Sequence, residues 1–298
     1  MRNLRSLDLN LLRALDALLD EGSVTRAAER LALTQPAVSG MLTRLRESFD
    51  DPLFVRSQRG LVPTVRAQSL ALPIKRVLGE IDGMLQPPEF VPGTAEFTLS
   101  IAATDYAQRT ILVPLLAALR EEAPGVRVSV RPVDGLRLEH QLASGELDMA
   151  IVTPDSIYPG LHARPLYDEQ YVCVLRDDHP NADGFDLDDF CALDHALVSL
   201  GNGSFEGVTD EALAGLGRKR HVVLSVPSFL MLLEILRGSD LIAVVPKRLI
   251  QTSDGLRVLD PPVPIPGFQK VVAWHERTHH HPAHQWVRAL LSTVCERS

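Results

Sequence analysis

Polar side chains with hydrogen-bonding groups recur along one flank of the segment TQPAVSGMLTRLR, residues 34–46. The apolar residues of this segment follow the i, i+3, i+4, i+7 spacing of one buried helix face: Val38, Met41, Leu42 and Leu45. The residues left outside are Gln35, Pro36, Ser39, Thr43 and Arg46. Glutamine can bind adenine through two hydrogen bonds, serine can donate or accept, and arginine suits phosphate or guanine. The pattern therefore predicts a helix that presents its polar flank to DNA.

Two shorter helical patterns precede this segment and are expected to brace it. Asp8 is a good N-cap for the first helix, and Gly22 ends it. The apolar side of that helix consists of Leu11, Leu12, Leu15, Leu18 and Leu19. Ser23 can cap the second helix, whose narrow face of Ala27, Ala28 and Leu31 allows close packing, and Thr34 can cap the third. This order predicts a helix-turn-helix, in which the last helix enters the major groove.

The segment DDPLFVRSQRGLVPT follows and predicts a short hairpin, or wing. Two apolar stretches, residues 53–55 and 61–62, flank a polar turn at residues 57–60. Arg56 and Arg59 then project from the wing and could bind phosphate or the minor groove. The predicted DNA-binding set is Ser23, Thr34, Gln35, Pro36, Ser39, Thr43, Arg46, Arg56 and Arg59. Any one of these residues taken alone is equally consistent with an ordinary surface position.

The charge of the chain is unevenly distributed. Residues 1–66 hold ten Arg, no Lys and eight Asp or Glu, a net charge of +2, while the remainder has a net charge of −10, which gives −8 for the whole. A change of sign between segments suggests a nucleic-acid-binding part joined to a part with another partner. Three widely separated cysteines, no apolar stretch of membrane-spanning length and no signal-peptide pattern favour the cytoplasm.

A long helical pattern over residues 64–85 predicts a linker helix. Its apolar stripe has spacings of three and four residues, as in a coiled-coil seam: Ala67, Leu70, Ile74, Val77, Ile81 and Met84. Pro73 inside the pattern should kink the helix. The same helix of a second chain is the simplest partner for this stripe, and packing against the chain's own next domain is the alternative. The segment QPPEFVPG then reads as a hinge.

The rest of the chain alternates strand and helix patterns and predicts an α/β domain with a mostly parallel sheet. Such sheets bind ligands where strands end and helices begin. The candidate ligand-binding residues at those points are Thr104, Asp105, Tyr106, Thr153, Pro154, Ser204, Phe205, Pro227 and Phe229, with His275 behind them. Each of them could instead be a capping threonine or serine, or a core aromatic residue.

Residues 7–64 as a whole resemble a LysR-type transcriptional regulator, in the branch of nodulation and aromatic-degradation regulators. The resemblance implies a winged helix-turn-helix domain at residues 1–64, a linker helix and hinge at 65–92, and an effector domain at 93–298. That domain would be a two-lobed α/β fold of the type II periplasmic-binding-protein kind, with lobe I at 93–160 and 268–298 and lobe II at 161–267. Where many members have Arg-Gln after the recognition-helix serine, this chain has Gly40 and Met41, so its operator cannot be copied from relatives.

No sequence pattern indicates catalysis or a resident cofactor. The segment GNGSFEG lacks the spacing of a phosphate loop. His280 and His284 stand four residues apart, but Pro282 lies between them, so we expect no metal site. The chain is therefore expected to be a cytoplasmic, non-enzymatic regulator that binds operator DNA and a small co-inducer, an aromatic compound or a carboxylate. The apolar stripe of the linker helix favours a homodimer, the resemblance implies a tetramer, and RNA polymerase is a further candidate partner. The alternative is a solute-binding or catalytic α/β protein with an N-terminal helical association domain.

Overall fold

The computed structural model describes residues 8–57, 60–85, 90–201, 203–250 and 255–297. The chain divides into two compact units, Met1–Pro88 and Glu89–Ser298. Within the described ranges, no helix is long and apolar enough to cross a membrane.

The first unit contains helices and one hairpin, and its helix starts are capped as the sequence predicts. Its described elements are α1 (Leu9–Glu21), α2 (Val24–Arg30), α3 (Gln35–Phe49), β1 (Phe54–Ser57), β2 (Gly60–Pro63) and α4 (Val65–Leu85). The side chains of Asp8, Ser23 and Thr34 accept hydrogen bonds from free backbone N–H groups in the first turns of α1, α2 and α3. Gly22 ends α1 with a φ of 57°, the left-handed conformation that suits glycine.

The core of the first unit lies where α1, α2 and α3 meet. The buried apolar residues of these helices are Leu11, Ala14, Leu15, Ala17, Leu18, Ala27, Ala28, Val38, Leu42 and Leu45. Ala27 is fully buried, which fits the close helix packing that small residues permit. This packing fixes the rotation of α3 about its own axis, because its apolar face must be buried against α1 and α2.

Part of the predicted linker stripe belongs to this same core. α4 packs along α1, and Ala67 and Ile74 of α4 are buried in the cluster that α1, α2 and α3 form. The prediction that the whole stripe faces a second chain is therefore wrong for these two residues. Two other residues of the stripe, Val77 and Met84, are exposed, as are Val65, Leu72 and Leu85 beside it. Pro73 lies inside α4, which the structure describes as a single helix.

The second unit has the predicted alternation of strands and helices. Its described elements are β3 (Thr98–Ala103), α5 (Asp105–Ala107), α6 (Val113–Glu122), β4 (Arg127–Arg131), α7 (Leu138–Ser144), β5 (Met149–Val152), β6 (Leu161–Glu169), β7 (Tyr171–Arg176), α8 (Leu187–Ala192), β8 (Asp194–Val198), α9 (Val208–Ala214), β9 (His221–Val226), α10 (Phe229–Arg237), β10 (Ile242–Pro246), β11 (Leu256–Leu259), β12 (Phe268–His275) and α11 (Pro282–Arg297). A π-helical segment, Gln108–Leu112, joins α5 to α6.

The strands form two five-stranded sheets, which correspond to two lobes. The strand order is β4-β3-β5-β12-β6 in the first sheet and β11-β7-β10-β8-β9 in the second. β3 pairs in parallel with β4 and β5, whereas β12 runs antiparallel to both of its neighbours. The second sheet likewise combines parallel pairs with antiparallel pairs that involve β7. Four of the five strands of each sheet therefore run in the same direction, in agreement with the prediction of a mostly parallel sheet, and the fifth, β12 or β7, runs against them.

The predicted start of lobe II at residue 161 is also wrong. β6 pairs with β12 from Phe268 opposite Glu169 to His275 opposite Leu161, so it is an edge strand of the first sheet. The first strand of the second sheet along the chain is β7, which begins at Tyr171. The chain passes from the first lobe to the second at Gln170.

The return of the chain to the first lobe brings two backbone segments into close contact. A Cβ atom added at Gly267 would lie 2.1 Å from the carbonyl oxygen of Glu169. That oxygen belongs to the backbone and cannot rotate away. Glycine is therefore required where the two connections between the lobes run side by side.

We expect the variant Gly267→Ala to destabilise the second unit by about 1–3 kcal/mol, since its methyl group forces the two connections apart. Urea unfolding followed by tryptophan fluorescence measures this unit, because Trp274 and Trp286 both lie in it. Gly93→Ala is the matched control, because no atom lies within 4 Å of its added Cβ. Equal midpoints for the two variants would contradict the close contact.

Candidate nucleic-acid interface and ligand cleft

The flank of α3 that faces away from the core is exposed and polar at its N-terminal half. Gln35, Ser39 and Thr43 are all exposed, one turn apart along the helix. Pro36 is exposed in the first turn, where its missing N–H leaves no helical hydrogen bond unmade. An added Cβ at Gly40 would meet no atom within 4 Å, so the surface between Ser39 and Thr43 is open. An exposed helix N-terminus with polar side chains is the part of a recognition helix that contacts base edges.

Several residues of the predicted DNA-binding set also have structural roles. Ser23 and Thr34 cap α2 and α3, with distances of 3.5 Å to the Arg26 nitrogen and 3.4 Å to the Ala37 nitrogen. The Thr43 hydroxyl donates a hydrogen bond to the Ser39 carbonyl at 3.2 Å. These three hydroxyls are held in place by the first unit itself, which leaves Gln35 as the long, unengaged side chain of the flank within the described residues.

Arg46 is exposed, as the helix pattern predicts, and its guanidinium group also contacts the hairpin. Its Nε donates to the Pro52 carbonyl at 2.9 Å, and its Nη2 donates to the Phe54 carbonyl at 3.3 Å. Asp51 accepts hydrogen bonds from the Leu53 amide and the Thr64 hydroxyl at 2.7 and 2.8 Å. Arg46 and Asp51 therefore fix the base of the hairpin against α3 and the start of α4.

The hairpin presents Arg56 on β1 as an exposed side chain. Arg59, the second predicted wing contact, lies outside the described residues. Two arginines of α2 are engaged by acids, since Arg30 binds Asp20 at 2.9 Å and Arg26 lies 3.4 Å from Glu21. Within the described residues Arg56 makes no ion pair, so its charge remains available to a phosphate.

The second unit has a cleft of about 620 Å³ between its two sheets. Four of the predicted ligand-binding residues line it: Thr104, Asp105, Thr153 and Pro227. The lining residues that the sequence interpretation missed include Gln108, Arg131, Val133, Ser156, Leu200 and Lys270. Gln108 begins the π-helical segment, a local distortion that is frequent at functional sites. Pockets of 300–1,000 Å³ with apolar walls and a few polar groups are typical of small-ligand sites.

Tyr106 and Phe229 do not line the cleft but lie beneath it. Tyr106 is 1% exposed, and its ring centroid is 5.8 Å from that of Phe229. Its hydroxyl donates to the Glu169 carboxylate and lies 3.0 Å from the Tyr167 hydroxyl. Burial, followed by the hydrogen bond with Glu169, raises the pKa of Tyr106 above its usual value. The pair therefore supports the cleft wall from below.

Four further predicted ligand-binding residues are not among those that line the cleft: Ser204, Phe205, Pro154 and His275. Ser204 and Phe205 line a separate cavity of about 660 Å³ on the second lobe, because their loop folds towards α9 and β9. Pro154 starts a short 3-10 helix and is exposed, while Thr153 and Ser156 on either side face the cleft. His275 stands at the far end of β12 from Lys270 and accepts a hydrogen bond from the Arg277 amide.

Asp105 connects the two lobes across the cleft. Its Oδ2 atom accepts hydrogen bonds from the Ser228 hydroxyl at 2.7 Å and from the Leu230 amide at 3.0 Å. Ser228 and Leu230 belong to the start of α10, whose free N–H groups favour a negative charge. The carboxylate of one lobe therefore occupies the helix N-terminus of the other.

Lys270 is the buried cation of the cleft. The residue is 6% exposed, and its Nζ lies 5.6 Å from the ring centroids of both Tyr106 and Phe268. Burial lowers its pKa to about 8, against the opposing effect of the Asp155 and Glu169 carboxylates. The single lysine at the start of the apolar stretch KVVAW could have indicated a functional residue. Whether its side chain faces the cleft depends on which strands flank β12, and the sequence alone does not reveal that.

The sequence spacing suggested His280 and His284 as a pair of metal ligands, but the structure brings a different set of residues together. His162, Glu276 and His279 bring possible ligand atoms within 4.8 Å of one another. The Trp274 indole N–H donates to Nδ1 of His279 at 3.1 Å, which places the proton of a neutral ring on Nε2. His162 forms a hydrogen bond with Glu276 that lowers the pKa of that carboxyl. With these hydrogen bonds in place, neither nitrogen of His279 offers a lone pair to a metal ion.

Comparisons with known proteins match each of the two units to a described family. The family described as "Bacterial regulatory helix-turn-helix protein, lysR family" matches residues 9–68, and "LysR substrate binding domain" matches residues 93–296. The transcriptional regulator SyrM 1 of Sinorhizobium fredii is 36% identical over 289 residues, 96% of this chain and 84% of that protein. The transcriptional activator NahR of Pseudomonas putida is 36% identical over 293 residues, 97% of both chains. The crystal structure of a probable transcriptional regulator from Pseudomonas aeruginosa has a TM-score of 0.62 at 35% identity and 97% coverage of each chain.

We expect Asp105→Ala to loosen the contact between the lobes, because it removes the acceptor of both hydrogen bonds. Loss of hydrogen bonds to a charged group costs about 1.5–3 kcal/mol. Hydrogen exchange of the peptide that contains Leu230 should accelerate, and the thermal midpoint of the second unit should fall. Asp183→Ala, at an exposed position, is the control. Unchanged exchange at the start of α10 would show that Asp105 does not hold the lobes together.

Proposed function

The chain belongs to the LysR family of effector-controlled transcriptional regulators, and on this premise we propose which of its surfaces bind DNA and effector. The N-terminal half of α3 binds base edges in the major groove, and the hairpin binds phosphate or the minor groove. The observation that supports this best is the exposed, polar flank of α3 opposite its buried apolar residues Val38, Leu42 and Leu45.

Within this interface each residue has its own role. Gln35 binds a base, adenine being the partner that a glutamine amide matches with two hydrogen bonds. Ser39 and Thr43 contact neighbouring bases or phosphates, and Arg56 neutralises a phosphate. Arg46 positions the hairpin through the backbone carbonyls of Pro52 and Phe54. Gly40 leaves room for close approach of the helix to the groove wall.

We propose a homodimer that pairs through α4, and a tetramer formed by further contacts between second units. The exposed apolar residues of α4, such as Leu72 and Met84, support the pairing because they lie outside the core of their own unit. Two paired chains would present two α3 helices to successive half-sites of an operator with dyad symmetry. RNA polymerase is a further partner if the protein activates transcription.

The cleft of the second unit is the proposed effector site. A small molecule bound there would change the angle between the lobes and favour one arrangement of the DNA-binding units. Such coupling requires the ligand to favour that arrangement by about 1–3 kcal/mol. We propose that the protein acts in the cytoplasm and has no catalytic activity. The alternative is a solute-binding or catalytic protein. The observation that would favour it is the α/β fold of the second unit, but LysR-family regulators have the same fold, so it does not distinguish the two.

DNA binding should weaken steeply with salt and should depend on two side chains in different ways. Fluorescence anisotropy would be measured on DNA from upstream of the protein's own gene and on unrelated DNA, across a salt series. Gln35→Ala should weaken binding to the upstream DNA by roughly tenfold or more and leave unrelated DNA unaffected, as expected for a lost base contact worth about 1–3 kcal/mol. Arg56→Ala should weaken both and reduce the salt slope by about 1 per chain.

The controls are the same substitutions at exposed positions of the second unit, Gln285→Ala and Arg257→Ala. Both should bind DNA like the wild type. No binding of either DNA by the wild type at low salt would contradict the proposed interface. If Gln35→Ala and its control Gln285→Ala changed the affinity for the upstream DNA equally, residues other than Gln35 would make the base contact.

A further inference from the structure

We infer that the Glu169 carboxylate is the pivot of movement between the two lobes, and that Tyr106 connects this pivot to the floor of the cleft. The inference rests on the proposed role of the cleft as an effector site, and it names the residues that set the separation of the lobes. Glu169 and Tyr106 are positioning residues, since they lie beside the cleft rather than in its lining.

The Glu169 carboxylate contacts three different parts of the second unit. Its Oε2 atom accepts a hydrogen bond from the Tyr106 hydroxyl in the first lobe and another, at 3.4 Å, from the Arg248 amide in the second lobe. Its Oε1 atom accepts from the Gln170 amide at 2.9 Å, where the chain passes between the lobes. One side chain, 3% exposed, therefore holds both lobes and a connection between them.

The second lobe adds contacts of its own through the segment that follows β10. The amide of Lys247 donates to the Gln170 carbonyl at 2.8 Å. The Arg248 guanidinium group lies over the ring of Tyr167, with its carbon 4.2 Å from the centroid. The Tyr167 hydroxyl is in turn 3.0 Å from that of Tyr106. The two lobes are thus joined at the point where the chain crosses between them, which is where hinge residues are found.

The geometry at this point permits rotation but not sliding. The second connection already touches the first, because an added Cβ at Gly267 would lie 2.1 Å from the Glu169 carbonyl oxygen. A buried carboxylate is costly unless it stays hydrogen-bonded, and hydrogen bonds weaken quickly with distance and angle. Atoms near an axis of rotation move least. A turn of one lobe about Glu169 therefore keeps these hydrogen bonds while the walls of the cleft move apart or together.

Tyr106 joins this pivot to the cleft. Its neighbours in the chain, Thr104 and Asp105, line the cleft, and Asp105 accepts hydrogen bonds from the start of α10 in the other lobe. The Tyr106 ring packs against Phe229 of α10, with the ring centroids 5.8 Å apart. A ligand that moves Asp105 relative to α10 would therefore also move Tyr106, whose hydroxyl is bound to Glu169.

The test is the distance between the lobes, measured by double electron–electron resonance on the full-length protein. Spin labels would be attached to His140→Cys on α7 and Ala214→Cys on α9, which are exposed positions of the first and second lobes. The half-buried Cys191 would be replaced by serine, and the buried Cys173 and Cys295 would be kept. Labelled chains would be assembled with an excess of unlabelled chains, so that each distance comes from one chain.

Glu169→Gln keeps the size of the side chain but has one acceptor oxygen in place of two. It cannot accept from both the Gln170 and the Arg248 amides, which bind different oxygens in the wild type. The mean label distance should shift by about 2 Å or more, the scale of hinge movements, either as a whole or through a second population. Tyr106→Phe, which keeps the ring and loses the hydroxyl, should change the distance in the same direction.

Two matched variants serve as controls. Glu296→Gln makes the same change at an exposed position of α11, and Tyr158→Phe removes a hydrogen bond to the Gly135 carbonyl within the first lobe. Both should give the wild-type distance. Thermal unfolding of all four variants would separate a loss of stability from a change in lobe separation.

Wild-type distances in both Glu169→Gln and Tyr106→Phe, whatever their thermal midpoints, would show that these residues only stabilise the fold and would overturn the inference. A shift in Glu169→Gln alone would support the pivot and remove Tyr106 as its link to the cleft. If Glu169→Gln fails to fold, Tyr106→Phe tests the inference by itself. A shifted distance with unchanged operator affinity would leave the pivot intact and contradict the proposed control of DNA binding by lobe separation.

Discussion

The structure depends first on how the apolar face of α3 is buried. Val38, Leu42 and Leu45 fill the space between α1 and α2, and this packing determines which side chains of α3 remain outside. Ala27 contributes by its small size, because it lets the helices approach each other. Rotating α3 by one residue would bury Ser39 and Thr43 and expose Val38 and Leu45. A stable core and an exposed polar flank are therefore two consequences of one packing arrangement.

The second unit is organised around a different constraint, the close contact between the two connections that join its lobes. Two connections between the lobes run so close together at Gly267 and Glu169 that a methyl group does not fit. Above them, the Tyr106 ring supports the cleft, and Lys270 on β12 points its ammonium group at that ring. Asp105 links the lobes on one side of the cavity. The width of the cleft therefore depends on this contact between the lobes, as the proposed effector site requires.

Local signals predicted the first unit well, and long-range pairing limited the prediction of the second. Caps at Asp8, Ser23 and Thr34 and a helical apolar period act within a few residues, so the sequence alone reveals them. β6 belongs to the first lobe because it pairs with β12, a strand about 100 residues later in the chain, and a local sequence pattern does not reveal such a pairing. Ser204 was assigned to the cleft because it follows a strand, but its loop folds the other way. Lys270 was missed because the direction of a side chain in a central strand depends on both neighbouring strands.

The central claim is that the exposed flank of α3 recognises a particular DNA sequence. The most direct measurement is selection of bound duplexes from a random pool by the full-length protein, followed by sequencing. The account predicts an enriched motif with dyad symmetry and half-sites about one helical turn, or a multiple of it, apart, and a loss of preference at one position of each half-site for Gln35→Ala. A bound pool with the same composition as the input would contradict it.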